Sequence, residues 1–166
     1  DGKRIVTSDD VLRSSELPSS IIVIGAGAVG VEFASYYHDM GAEVTLLEYF
    51  PAVVPLEDAD VSKEMERAFK KRGIKVITSA RFDPAAVKVD EDGVSMTVGP
   101  DGGEASEIRA EQLLVATGRA ANVENVGLET TRAVVTDRGV VETDDQMRTA
   151  DPHLYAVGDI AGGLWL

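Results

Sequence analysis

Gly25, Gly27 and Gly30 stand in the spacing G-x-G-x-x-G directly after the apolar run Ile21-Ile22-Val23-Ile24, and Glu48 follows eighteen positions after the last of them. Glycines at this spacing suit the close approach of a backbone to phosphate. Gly25 permits a tight turn, Gly27 leaves no side chain between the chain and a pyrophosphate, and Gly30 lets the next helix pack closely on the strand. The free N–H groups that open that helix then face the phosphates. A carboxylate at Glu48 can accept both ribose hydroxyls of an adenosine and would repel a 2′-phosphate. Tyr49 and Phe50, rather than arginines, follow it, which disfavours NADP. The combination predicts a dinucleotide-binding site selective for NAD. The competing reading is a βαβ turn that binds nothing.

These residues need a particular set of elements to hold them. Residues 28–40 read as a helix with Val29, Phe33, Tyr36, Tyr37 and Met40 on its apolar face and Gly41 as its stop. Residues 43–48 read as a strand carrying Glu48 at its end, and 49–57, with Pro51 and Pro55, as a loop. A second helix is expected over 59–72, with Val61, Met65, Ala68 and Phe69 on one face, Asp58 or Asp60 as cap, and Gly73 at its end. A strand over 74–78 completes a βαβαβ half of a doubly wound sheet. From Arg81 the pattern changes to period two, near 86–89, 94–98 and 104–108, with Asp92-Gly93 and Asp101-Gly102-Gly103 as turns. The unbroken apolar run 112–116 suits a buried parallel strand. The expected fold is thus α/β, a Rossmann-like βαβαβ parallel sheet with an antiparallel β-meander insertion. Residues 1–19 are polar and read as a connecting segment.

Composition narrows the function classes. The chain has 166 residues, 44% of them hydrophobic, so a real core is affordable and disorder is disfavoured. A formal charge of −13 argues against nucleic acid or an anionic membrane surface as the main partner. No run approaches the ~18 apolar residues needed to span a bilayer, and Asp1-Gly2-Lys3-Arg4 opens no signal peptide, so a cytoplasmic, soluble protein is expected. With no cysteine, the chain itself carries no disulfide, thiolate metal site or thiol redox chemistry.

Two later motifs add to the glycine loop: Ala116-Thr117-Gly118-Arg119-Ala120-Ala121-Asn122, and Thr143-Asp144-Asp145-Gln146-Met147-Arg148-Thr149 followed by 152–159, which ends in Gly158-Asp159. Together the three resemble the flavoprotein disulfide reductases, and within them most closely the dihydrolipoyl dehydrogenases of mycobacterial or broader bacterial kind. The resemblance covers essentially the whole chain. It implies that Gly25, Ala26, Gly27, Ala28, Val29, Gly30, Val31 and Glu32 form the NAD pyrophosphate loop, with Glu32 toward the nicotinamide end, and that Glu48 binds the adenosine ribose. It also implies that the backbone of Phe82 lies against the adenine and that of Gly118 near the nicotinamide. Asp159, in the resemblance, accepts a hydrogen bond from the ribityl chain of FAD, and residues 161–166 run beside the flavin. On the sequence alone Phe82 also suits a core position, Glu32 a solvated helix position, Gly118 a plain turn and Asp159 a helix cap.

The resemblance further implies a division into a linker from an FAD domain (1–19), a NAD-binding domain (20–119) and a return segment toward the FAD domain (120–166). The family's redox cysteine pair and its His-Glu base pair do not occur in this chain, so the expectation is one domain of a longer enzyme, inactive by itself. His38 and His153 read as structural or solvated. No catalytic set and no metal-ligand cluster is evident. The parent is expected to oxidise dihydrolipoamide through a disulfide and FAD to NAD⁺, as a homodimer within a 2-oxoacid dehydrogenase complex. Three other readings stay open. One is a different NADH-linked flavoprotein reductase, such as a mercuric reductase, CoA-disulfide reductase or NADH oxidase. Another is a non-catalytic NAD-binding module, and the third a domain that binds no cofactor well in isolation.

Overall fold

The computed structural model describes residues 2–163, and the chain divides into two compact units, Asp1–Gly118 and Arg119–Leu166. The first unit contains, in order, β1 (Ile5–Val6), α1 (Ser8–Arg13), β2 (Ser20–Ile24), α2 (Ala28–Asp39), β3 (Glu43–Leu47), α3 (Ala59–Arg72), β4 (Lys75–Ile77), β5 (Ala80–Arg81), β6 (Lys88–Asp90), β7 (Gly93–Pro100), β8 (Ser106–Ala110) and β9 (Gln112–Val115). Five of the strands form a parallel sheet in the order β1-β9-β2-β3-β4. The others form the antiparallel meander, with β7 paired to β5, β6 and β8. Both the parallel sheet and the inserted meander agree with the sequence-based expectation.

The apolar runs of β2 and β9 are unbroken, and that of β3 is interrupted only by Thr45 after its first residue, because the sheet is covered on both faces, and alternate residues divide between two cores. Ile21, Val23, Val44, Leu46 and Leu114 pack with Val31, Ala34 and Tyr37 of α2 and Phe69 of α3. Their neighbours Ile22, Leu47 and Leu113 pack instead with Val94, Met96, Val98 and Ile108 of the meander. The insertion is therefore the second face of the sheet. Burial of each such Leu or Ile is worth about 1.5–3 kcal/mol, so the meander stabilises the strands that carry the glycine loop.

Three local expectations change. The face of α2 that meets the sheet is Gly30, Val31, Ala34 and Tyr37, while Tyr36 and Met40 are exposed. Close helix–sheet approach is made by the small Gly30 and Ala34, with Tyr37 buried further along and Phe33 packed partly on the same core. In α3 the buried residues are Ser62 and Phe69, and Val61 faces solvent; Gly73, in left-handed conformation, ends the helix as its sequence suggests. Within the segment read as connecting, Ile5–Val6 joins the sheet beside β9. A strand of two residues is too short to show a period.

The second unit holds little regular structure. Antiparallel bridges join Val135 to Val141 and Arg148 to Tyr155, with 3-10 turns at Leu128–Thr130 and Gly158–Ala161. Val141 and Ala156 are its buried apolar side chains among the described residues.

Candidate functional site

The chain leaves β2 through Gly25, whose N–H donates to the Leu47 carbonyl at 2.8 Å and whose φ is +98°. A Cβ at Gly25 would stand 2.5 Å from the Ala116 carbonyl oxygen, and one at Gly30 only 1.8 Å from that of Gly25. Backbone occupies both places. At Gly27, by contrast, a Cβ would meet no atom within 4 Å. Two of the three glycines are thus demanded by packing, and the middle one keeps a surface open. Gly27 is also the N-cap of α2, with no capping side chain and no acidic residue in the first turn. The positive end of the helix dipole is left for an external anion. Around it Ala26 and Val31 are buried, Val29 is half-buried, and Ala28 and Glu32 are exposed.

Glu48 directly follows β3 and is 5% exposed. Its Oε2 accepts from the Ala26 N–H at 2.7 Å and its Oε1 from the Phe50 N–H at 2.8 Å. A buried carboxylate needs such partners to offset lost hydration. Each oxygen retains acceptor capacity, so ribose hydroxyls can still be received. The Ala26 carbonyl in turn accepts from the Val54 N–H at 2.7 Å, and the Val54 carbonyl from the Ser62 hydroxyl at 3.2 Å. The glycine loop is held on one side by Glu48 and on the other by the turn before α3. Val54 has φ +41°, a rare conformation for a β-branched residue.

Beyond Glu48, Tyr49 and Phe50 are exposed, with ring centroids 5.6 Å apart at right angles. The Arg81 guanidinium lies 4.1 Å over the Tyr49 ring, and its Nη1 donates to the Tyr49 carbonyl at 2.9 Å. Its Nη2 is 3.0 Å from Asp101 Oδ2. Arg81 and Asp101 escaped the sequence-based site because no local pattern links positions so far apart in the chain. Phe82 is half-buried and packs against the core beneath the meander.

Gly118 is exposed, at φ +151°, and ends the first unit. Asp159 belongs to the second unit, within the 3-10 turn Gly158–Ala161, and its Oδ2 lies 3.9 Å from Arg119 Nη1. The N-cap of that turn is Val157, so Asp159 does not cap it. Of the stretch expected beside a flavin, residues 164–166 lie outside the described residues.

His38 is half-buried in α2, and His153 is exposed. The acidic turns serve local geometry. Asp144 accepts from the N–H groups of Gln146 and Arg148. Arg109 donates two hydrogen bonds to Asp90 and holds its carboxyl at about 2, below the usual carboxylate range. Among the described residues no group of three metal-ligating side chains converges, and no helix is long and apolar enough to cross a membrane.

The chain matches the family model described as pyridine nucleotide-disulphide oxidoreductase over residues 1–165. It is similar to the dihydrolipoyl dehydrogenase of Bacillus subtilis, with 44% identity over 100% of this chain and 35% of that protein. Among solved structures it is similar to LpdA from Mycobacterium tuberculosis, with a TM-score of 0.84 and 32% identity over 100% of this chain and 35% of the other. It is also similar to the HOCl-induced flavoprotein disulfide reductase RclA from Escherichia coli, with a TM-score of 0.84 and 28% identity over 98% of this chain and 36% of the other. The chain therefore spans about a third of the length of the relatives it matches. Since the family model runs from residue 1 to residue 165 and the fold agrees with it, this chain belongs to the pyridine nucleotide-disulphide oxidoreductase family.

Proposed function

We propose that this chain is the NAD-binding domain of a flavoprotein disulfide oxidoreductase whose whole-protein activity is that of a dihydrolipoyl dehydrogenase. The observation that carries the reading is the division of labour among the glycines: Gly25 and Gly30 are filled against backbone, while Gly27 alone of the three faces open space at the N-terminus of α2. That is the cradle a pyrophosphate requires. The backbone donors at the start of α2 bind the phosphates, and Glu48 receives the adenosine ribose. The carboxylate also excludes a 2′-phosphate by charge. The backbone of Phe82 supports the adenine, and Gly118, without a side chain, lets the nicotinamide end lie close, with Glu32 beside it.

A bound nicotinamide dinucleotide supplies a hydride acceptor, and this domain orients it. The chain contributes no nucleophile, acid or base. Asp159 offers an exposed carboxylate suited to a ribityl hydroxyl of FAD, a partial site completed elsewhere in the parent. The parent is read as a cytoplasmic homodimer serving a 2-oxoacid dehydrogenase complex. Identity of 44% to a dihydrolipoyl dehydrogenase, against 28% to RclA, favours this reading over another flavoprotein reductase.

Calorimetric titration of the purified protein tests it. NADH is expected to bind more tightly than NADPH, and Glu48→Ala to weaken NADH and narrow the gap. Equal or reversed preference in the unsubstituted protein would sink the proposal.

A further inference from the structure

The Arg81 guanidinium reaches the edge at which the chain leaves β3, at the backbone of Tyr49, the residue that follows the carboxylate assigned to the ribose. It is held there by the Tyr49 carbonyl at 2.9 Å and by the Tyr49 ring at 4.1 Å. Its other arm faces Asp101 Oδ2 at 3.0 Å. Asp101 lies in the turn between β7 and β8, and the turn is itself anchored to this edge. The Asp101 N–H donates to the Ser79 carbonyl at 2.9 Å, and the Ser79 N–H to the Phe50 carbonyl at 2.8 Å. The side chains of Arg81 and Asp101 are 39% and 65% exposed, so the pair is open to solvent and to a ligand.

A guanidinium is the side chain best suited to bind phosphate. A dinucleotide phosphorylated at the ribose 2′ position would present its extra anion just where Glu48 receives the free hydroxyl. An uncommitted cation at that rim would recruit the phosphorylated form and oppose the selectivity of Glu48. We propose that Asp101 is a specificity-determining residue: it engages Arg81, withholds the guanidinium from a 2′-phosphate, and so reinforces the preference for NADH. This rests on the NAD reading above. The meander insertion, through one turn, thereby takes part in cofactor choice as well as covering the sheet.

The test compares NADH and NADPH binding to the unsubstituted protein, Asp101→Asn, Arg81→Gln and the double variant. Asp101→Asn is expected to narrow the preference for NADH roughly 3- to 10-fold by tightening NADPH, a size set by the modest strength of exposed charge pairs. The gain should shrink as salt is raised. In the double variant it should vanish. An unchanged preference in Asp101→Asn overturns the proposal, and so does a gain that survives in the double variant, since Arg81 would then play no part. If Asp101→Asn fails to fold, Asp101→Ser carries the same expectation. Absence of any NADH preference in the unsubstituted protein overturns the NAD reading itself, a distinct result.

Discussion

Glu48 Oε2 accepts the Ala26 N–H at 2.7 Å, so the carboxylate assigned to the ribose also fastens the glycine loop to the end of β3. The side chain proposed to bind the ribose is thus also part of the fold. Replacing it therefore perturbs two things at once, and binding data on such a variant need a stability measurement beside them.

Glu48→Ala leaves the buried Ala26 N–H without its acceptor, and is expected to cost about 1–3 kcal/mol of stability in addition to weakening NADH. In Glu48→Gln the amide oxygen can serve one of the two N–H groups while its NH₂ confronts the other, so stability should fall between the two. Urea denaturation monitored by circular dichroism measures this. Full stability in Glu48→Ala would remove the strut role.

Gly27→Ala and Gly30→Ala should separate binding from folding. Gly27 has φ −71° and room for a Cβ, so its variant should fold with stability within about 1 kcal/mol of the parent. NADH should nonetheless bind roughly tenfold or more weakly, because a methyl group there keeps phosphate beyond hydrogen-bond distance of the backbone. In Gly30→Ala the Cβ would lie 1.8 Å from the Gly25 carbonyl oxygen, and a loss above about 4 kcal/mol or failure to fold is expected. Normal NADH affinity in a folded Gly27→Ala protein would contradict the open-cradle assignment.

Asp90 titrates at about 2 in the folded chain, below its ordinary 3.8, because Arg109 and the N–H groups of Asp92 and Gly93 favour the charged form. A lowered folded pKa means its stabilising contribution is complete above the unfolded value and fades as pH falls from 3.8 toward about 2. Carboxyl NMR should place the Asp90 midpoint near 2 and, in Arg109→Met, shift it back toward 3.8. Both groups are exposed, so neutral-pH stability should barely change. A midpoint indifferent to Arg109 would exclude the ion pair as the cause.

The chain contains no cysteine, so it cannot itself supply the redox disulfide through which the proposed parent would oxidise dihydrolipoamide. Supplied with FAD, dihydrolipoamide and NAD⁺, the purified 166-residue chain is expected to produce no NADH by absorbance. Turnover that persists in rigorously purified protein would overturn its assignment as a binding domain.

Much of this was legible before folding. The glycine spacing, the strand ahead of it, the acidic residue after the next strand and the change to period two at the meander are local signals. Each follows from backbone sterics or from which face of an element is buried. Helix faces were less legible: Phe33 and Tyr37 of α2 do meet the core, but Tyr36 and Met40 do not, and the contact also uses Gly30 and Ala34, whose value is their smallness. The two-residue β1 carried no pattern at all.

What the amino-acid order indicated alone was the βαβαβ core with its meander and the residues for two proposed chemistries at the loop, a backbone cradle and an acceptor carboxylate; β1 and α1 were not among them. Only the tertiary structure decided that Glu48 reaches back 22 positions to Ala26, and that Arg81 is flanked by Tyr49 and Asp101, 32 and 20 positions away. The physical reason is range. Propensity and periodicity act over a few residues, whereas these contacts exist only once parallel strands and a meander have stacked on one sheet and brought distant turns to a common edge.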